Sequence, residues 1–367
     1  MTAQAHNRPE DVAAFVALFQ RHGTPALVAN LETRLQVVQS GGLSFPLSLN
    51  DGAETCYICN PTSGYIDYAL EETRHFARNP FLRAACMGLI RAARPFVKAS
   101  GLDRQVQINN WLFSTNPVPA LSVAQAVDLR DQLSSTFKTH AILLRSLNKL
   151  ADAETIAALQ TAGFDLLPAR QVYIFSDISP DRPHSPNMRR DRLHLQRCPF
   201  PRVGNEDFTE EDYPVCAQLY ADLYLRKYTP LNPDYTALYI QEMHRAGLLE
   251  LAGFRDETGR LIAVTGLFAS GRTLTQPIVG YDTSRPMREG LYRLIMQVAR
   301  DHAAERGMFF NCSAGAAAFK RHRGGIPVIE YTAVYTRHLP RRQRWATALM
   351  RQLLTRIGVP LLQRFRL

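Results

Sequence analysis

Apolar positions along this chain recur at two spacings, and the spacings set its predicted elements. From Asp11 to His22 they return every three or four residues, the step of one helix face. The same step carries Phe76, Phe81, Leu82, Cys86, Leu89 and Ile90, predicting one long helix over roughly 70–98. Strand-like runs stand at 54–59, 105–113, 140–145 and 171–176, with helices at 122–137 and at 152–162, where Gly163 closes the pattern. Residues 179–206 break the rhythm with five prolines, Asn, Asp and several Arg, which predicts a linker, although Leu193-His-Leu195 could still pair as a strand. Beyond it the pattern sharpens. Helices are expected at 210–227 and 233–246, then strands at 248–255, 261–269 and 273–281, the first two joined by the turn Asp256-Glu-Thr-Gly259. A helix at 288–306 ended by Gly307, a strand at 308–312, a helical turn at 315–322 and a strand at 328–336 complete the block. Such layering is α/β or α+β.

Length fits this division, since 367 residues exceed one ordinary domain and suit two of 150–180. The blocks are 1–178, the linker 179–206, 207–340 and a tail, 341–367. No apolar run of eighteen residues or more occurs, and the N-terminus lacks the basic-then-apolar pattern of a signal peptide. Six unevenly spaced cysteines suit a reducing cytoplasm rather than a disulfide framework. Cys56 and Cys59 have C-x-x-C spacing without a second pair, and the ten histidines form no ligand motif, so no metal site is expected.

Charge changes the picture more. The net charge is +10, and from Arg337 to the C-terminus there are eight arginines and no acid. The rest of the chain is therefore close to neutral. In this tail Trp345, Leu349, Met350, Leu353, Leu354 and Ile357 keep helical spacing, Arg344, Arg351 and Thr355 fall opposite, and Pro360 is expected to stop the helix. Apolar residues opposite arginine suit a helix lying in a membrane interface. They also suit a helix docked on the protein's own core with solvated arginines, and both readings stay open. Nucleic acid is disfavoured, because no aromatic platform, zinc motif or helix-turn-helix pattern accompanies the charge.

The order of elements in 207–340, together with Gly280-Tyr-Asp282, the helix from Gly290 and Asn311-Cys-Ser-Ala-Gly-Ala-Ala-Ala-Phe-Lys320, resembles the GNAT superfamily of acyl-CoA-dependent N-acyltransferases. Within it the residues look like the branch holding the Fem-type peptidoglycan-bridge aminoacyltransferases and cellulose-cluster acyltransferases. The first block resembles a degenerate second copy. The resemblance implies an α+β protein of two GNAT-like domains, with mixed, mostly antiparallel sheets flanked by helices, plus an amphipathic C-terminal helix. It implies transfer of an acyl group from an acyl-CoA or acyl-carrier-protein thioester to an amine, with no permanently bound cofactor. An aminoacyl-tRNA donor, or a non-catalytic binding protein of the same fold, is the alternative. A membrane surface is a further partner through the tail, with a peripheral position on the inner membrane.

The resemblance also assigns places. The acyl arm would lie along splayed strands near Tyr281, and the pyrophosphate would meet the helix start at 283–290, where Arg285 and Arg288 add charge and Gly290 is the one glycine of the usual motif. Gly315 would let the backbone approach the donor, and Lys320, with Arg321 and Arg323, would hold a donor phosphate. Asp282 at a strand end and Glu330 on the last strand are general-base candidates, the bland readings being a turn residue and an outward-facing strand charge. Ser313 is read as a donor to the leaving thiolate or as a helix N-cap. A hydrolase triad fails, since only Glu330 and His338 could complete it. Tyr224, Lys227, Tyr228 and Asn232 line the joint expected to cover the acceptor. Trp111 defaults to core packing.

Overall fold

The computed structural model describes residues 7–52, 56–76, 79–176 and 185–365. Glu54 and Thr55 of the first strand-like run, positions 77–78 of the expected long helix, the linker's start at 179–184 and Arg366 lie outside them. The chain opens with helices α1 (Pro9–His22) and α2 (Thr24–Leu27), the hairpin β1 (Arg34–Ser40) and β2 (Leu43–Asp51), then α3 (Tyr68–Phe76) and α4 (Pro80–Ala99). Next come β3 (Arg104–Ile108), α5 (Val123–Thr136), β4 (Ala141–Asn148), α6 (Ala153–Thr161), β5 (Asp165–Phe175) and α7 (Pro186–Gln196). After β6 (Arg202–Val203) follow α8 (Asp212–Ala221), α9 (Ala237–Arg245), β7 (Glu250–Arg255), β8 (Leu261–Ser270), β9 (Thr273–Tyr281) and α10 (Leu291–Glu305). The chain ends with β10 (Phe309–Asn311), α11 (Ala317–Arg321), β11 (Ile326–Tyr335), α12 (Arg341–Leu353) and α13 (Val359–Phe365). The expected α+β class is borne out.

Where the sequence suggests consecutive blocks, contacts group the chain into two interleaved units. One comprises 1–29, 172–230 and 234–328, the other 30–171, 231–233 and 329–367, so β5 and β11 each carry a boundary.

The first unit is a sheet in the order β5-β10-β9-β8-β7-β6, antiparallel except for β9 with β10. Successive strand residues point to opposite faces. Val279 therefore joins Leu291, Leu294, Ile295 and Val298 of α10, while Gly280 turns to α8. A Cβ on Gly280 would lie 2.7 Å from the backbone of Leu219 and Tyr220, so glycine is what lets α8 close on β9. Pro277 falls at the irregularity between the Gly266 and Phe268 pairings, where a missing N–H disturbs the ladder least.

The second unit orders its strands β1-β2-β3-β4-β11-β5, with β3 and β4 parallel and the pairs β1/β2, β2/β3 and β4/β11 antiparallel. β4 reads Ala-Ile-Leu-Leu because both its faces are covered. Ile142 and Leu144 pack with α5 and α6 through Leu129, Leu133, Ile156 and Leu159. Ala141 and Leu143 pack with α4 and α12 through Val97 and Met350. The α5 start is fixed by a capping box between Ser122 and Gln125.

Several local expectations are corrected. Leu193-His-Leu195 is helical within α7, whose start is capped by Ser185. The strand at 105–113 ends at Ile108, because Asn109 and Leu112 adopt positive φ and leave the ladder. Pro360 does not stop the tail helix. A π-helical turn, Leu354–Gly358, precedes it and runs on through helical Val359, whose N–H donates to the Leu354 carbonyl, so the helix widens just before the residue that has no N–H to give. Trp111 is fully buried, as its core reading expects.

Candidate active site

The site of the first unit starts from a strand pairing that stops early. β9 has nine residues, but only Thr273, Leu274 and Thr275 pair with β10, opposite Phe309, Phe310 and Asn311. From Gln276 to Tyr281 β9 continues with β8 as its sheet neighbour, while the chain after Asn311 turns away. Among the described residues no strand pairs with that side of β9 beyond Thr275, which leaves its backbone groups to another partner.

The turn that opens the gap is unusual. Ser313, Gly315 and Ala316 all have positive φ, at 58°, 74° and 45°. Only glycine takes that region freely, so Ser313 and Ala316 must be held there. Three contacts hold Ser313: its N–H donates to Asn311 Oδ1 at 2.9 Å, and its carbonyl accepts from the Tyr173 N–H at 3.2 Å and from Lys320 Nζ at 3.2 Å. Lys320 Nζ also donates to the carbonyls of Cys312 at 2.6 Å and Ala314 at 2.7 Å, and sits 5.8 Å from the Tyr173 ring centroid. The lysine is 3 % exposed. A buried ammonium has to be surrounded by acceptors, and here they are carbonyls of this turn.

This corrects the phosphate assignment of Lys320, whose donors are spent on the backbone. Arg323 is committed as well: it pairs with buried Asp191, which also accepts from Arg293 Nε at 2.7 Å, and stacks 3.5 Å from the Phe319 ring centroid. Ser313 is not a helix N-cap either, since the α11 cap is Ala316.

Aromatic rings gather beside the gap. Tyr281, at the end of β9, lies 6.1 Å from Tyr292 in the first turn of α10, and Tyr292 lies 4.9 Å from Phe319 of α11. Burial raises the Tyr292 hydroxyl well above its usual range, and the phenols of Tyr224 and Tyr228 add to the effect. Those two tyrosines follow α8, where the helix loosens into a π turn over Asp222–Arg226. Lys227 beside them is exposed. Burial also pushes the Cys312 thiol up to about 12 against the pull of Lys320 and Arg300, which unsuits it as a nucleophile.

Asp282 caps its own turn: Oδ1 accepts from the Ser284 N–H at 3.0 Å and hydroxyl at 2.6 Å, and the Asp282 carbonyl accepts from the Arg285 N–H. Its Oδ2 makes no hydrogen bond among the described residues. Arg285 donates from Nε to Glu289 at 2.6 Å, lies 3.6 Å from Asp256 and stacks 5.2 Å over Phe200, so its charge is balanced by two acids. Gly290 caps α10 at φ 62°, and a Cβ there would lie 2.5 Å from His194 Nε2, which donates to the Glu289 carbonyl at 2.9 Å. Arg288 is exposed.

Two predicted residues belong to the second unit. Glu330 is 2 % exposed rather than outward-facing, and its Oε1 accepts from Arg170 Nε at 2.8 Å. Arg170 also donates to the Ser114 carbonyl and Thr115, and although burial lowers its pKa, Glu330 together with Tyr57 and Tyr68 raises it overall. His338 donates from Nε2 to the His140 carbonyl, so neither residue is available for a triad. Asn232 is buried, its carbonyl accepting from Asn30 Nδ2 at 2.7 Å. Sequence reasoning missed Asn311, Tyr173, Tyr292, Phe319 and His194. Tyr292 had a readable signal, an aromatic two residues after the helix-capping glycine, whereas Tyr173 reaches the turn only through tertiary pairing. Among the described residues no group of His, Cys, Asp or Glu is placed to hold a metal, and no helix is long and apolar enough to cross a membrane.

An early-ending parallel pair, a helix start beside it and an aromatic lining coincide with a family match. Residues 184–321 match the model of a family described as acetyltransferase (GNAT) domain. Among solved structures the chain is similar to L-PGS from Bacillus licheniformis, at 12% identity and a TM-score of 0.50, covering 96% of this chain and 99% of that one. It is also similar to FemX, at 10% identity and 0.45, covering 61% and 78%. A GCN5-related N-acetyltransferase from Kribbella flavida gives 14% and 0.34, covering 64% and 81%. No curated protein matches the chain. At 12% identity the likeness to L-PGS is one of fold, and it extends beyond residues 184–321 to nearly the whole chain.

Proposed function

We propose that the GNAT domain moves an acyl group from a thioester to an amine. The observation that carries this is the parting of β9 from β10 after Thr275, with the strained Ser313–Ala316 turn on one side and Tyr281 and Tyr292 on the other. An extended pantetheine arm would hydrogen-bond to the backbone of Gln276–Tyr281, and the first-turn N–H groups of α10 would receive the phosphates. The amine, deprotonated by Asp282 Oδ2 or a water it orders, attacks the thioester carbon. The C–N bond forms, the tetrahedral oxyanion is stabilised by strand N–H groups, the C–S bond breaks, and the thiolate leaves toward the Ser313 hydroxyl and takes up a proton. Tyr224, Lys227 and Tyr228 would border the acceptor. No covalent enzyme intermediate is needed, in keeping with the buried, high-pKa Cys312.

A second reading has its own support. The loop 283–290 has one glycine and an Arg285 already balanced by Glu289 and Asp256, a weak receptor for a pyrophosphate. An aminoacyl-tRNA ester would supply the same electrophile without that group. Calorimetric titration of the full chain with acyl-CoAs, acyl-carrier-protein thioesters and aminoacyl-tRNA separates the readings. Saturable binding of a thioester, weakened at least tenfold by Tyr281→Ala, is expected. Binding of aminoacyl-tRNA alone would establish the second reading, and binding of none would leave a fold without transfer chemistry.

A further inference from the structure

α4 and α12 cover the same face of the second unit's sheet. Ile90, Ala93 and Val97 of α4 and Met350 with Leu354 from the tail pack into one cluster with Ala141, Leu143 and Val334. What the two helices turn away from that cluster is therefore exposed on one side of the unit.

That outward surface is both apolar and cationic. α4 exposes Phe81 (85 %), Leu89 and Phe96, and the tail exposes Trp345 (77 %), Leu349, Leu353 and Ile357. These seven are half of the fourteen exposed large apolar side chains among the described residues, on two short stretches of chain. Phe81, Leu89 and Phe96 recur at steps that keep one helix face, as do Trp345, Leu349 and Leu353. Neither 80–99 nor 341–365 contains an acid. Arg91 and Lys98 on α4 and Arg341, Arg342, Arg344, Arg356 and Arg364 on the tail are exposed and make no ion pair with a described residue. The arginines that are paired, Arg94 with Asp67 and Arg351 with Asp165, hold the helices to their own unit.

We propose that α4 and the tail together form a surface that seats on an anionic lipid bilayer, α4 being as much a part of it as the tail. Aromatic and aliphatic side chains flanked by unpaired cations match the interface, where apolar groups enter the acyl boundary and cations meet lipid phosphates. A polynucleotide would use the cations but leave Leu349, Leu353 and Ile357 in water, since aliphatic side chains do not stack on bases. A second copy of the same face is opposed by like charge. The inference does not depend on the chemistry proposed for the GNAT domain.

Flotation of the full chain with vesicles of equal phosphatidylglycerol and phosphatidylcholine, against phosphatidylcholine alone, tests it. Binding to the anionic vesicles is expected, and Arg341→Gln, Arg342→Gln and Arg344→Gln together should lower partitioning roughly a hundredfold, at about a factor of five per cation. Trp345→Ser and Phe81→Ser should each lower it severalfold with an unchanged melting temperature, since both side chains are exposed. No binding, or equal binding to neutral vesicles, would overturn the proposal. An unaltered Phe81→Ser protein would remove α4 from the surface. Binding of tRNA that needs the arginines but not Trp345, without vesicle binding, would assign the surface to nucleic acid instead.

Discussion

Replacing Lys320 by Met separates two roles for a cation beside the proposed donor site. Met keeps most of the buried stem but removes three N–H donors. The Ser313 carbonyl retains the Tyr173 N–H, while the Cys312 and Ala314 carbonyls lose the contacts that Lys320 gives them. Each buried acceptor left unpaired costs about 1–3 kcal/mol, and the contact with the Tyr173 ring adds roughly 0.5–1 kcal/mol. Relief of the desolvated ammonium offsets part of this, giving a loss of about 3 kcal/mol. For a unit of this size that lowers the melting temperature by roughly 6–12 °C, measurable by circular dichroism in matched buffer. Donor binding should weaken as well, because Ser313 and Ala316 would be freed from positive φ. If melting shifts by less than about 2 °C while donor affinity falls, Lys320 is a ligand of the donor and the backbone-clamp account is wrong.

Other outcomes follow from single contacts. Burial lifts the Asp152 carboxyl to about 7, from about 3.9 in an unfolded chain. A carboxyl raised on folding favours the fold fully below pH 4, and that contribution is lost as pH rises through 7. Asp152→Asn, which can still accept from Asn148, should remove this loss, gaining up to about 4 kcal/mol relative to wild type between pH 4 and 8 in denaturant titrations. A gap that does not change with pH would mean Asp152 is ionised throughout. Gly280→Ala drives a Cβ into the α8 backbone and should cost about 2–3 kcal/mol, while Gly88→Ala on the open face of α4 should gain up to about 1 kcal/mol. Ser313→Gly relieves positive φ, so it should leave melting unchanged or raise it while slowing transfer; unchanged transfer would remove the hydroxyl from the mechanism.

Much of the fold was legible because its strands and helices announce themselves locally. β9 runs from Thr273 to Tyr281 as the alternation implies, and the Gly290 and Gly307 signals bracket α10 to within a few residues. What stayed hidden depends on neighbours distant in sequence. Leu193-His-Leu195 reads as linker or strand in sequence, and its helix shows only once Asp191 meets Arg293 and Arg323. Lys320 looks like a surface cation in sequence, since nothing local says that carbonyls six to eight residues earlier surround it. Glu330 likewise resembles a strand-face charge until Arg170 is placed beside it. The tail's apolar face proved to be two, with Met350 inward and Trp345 outward, because α4 occupies one side.

The central claim, transfer from a thioester at the parted strands, is tested most directly by release of free thiol from acyl-CoA and acyl-carrier-protein thioesters, followed with and without an added amine panel. Thiol release that requires both protein and amine, matches the amide formed mole for mole and falls in Tyr281→Ala is the result the account predicts. No amine-dependent release from any thioester, with aminoacyl-tRNA consumed under the same conditions, would contradict it.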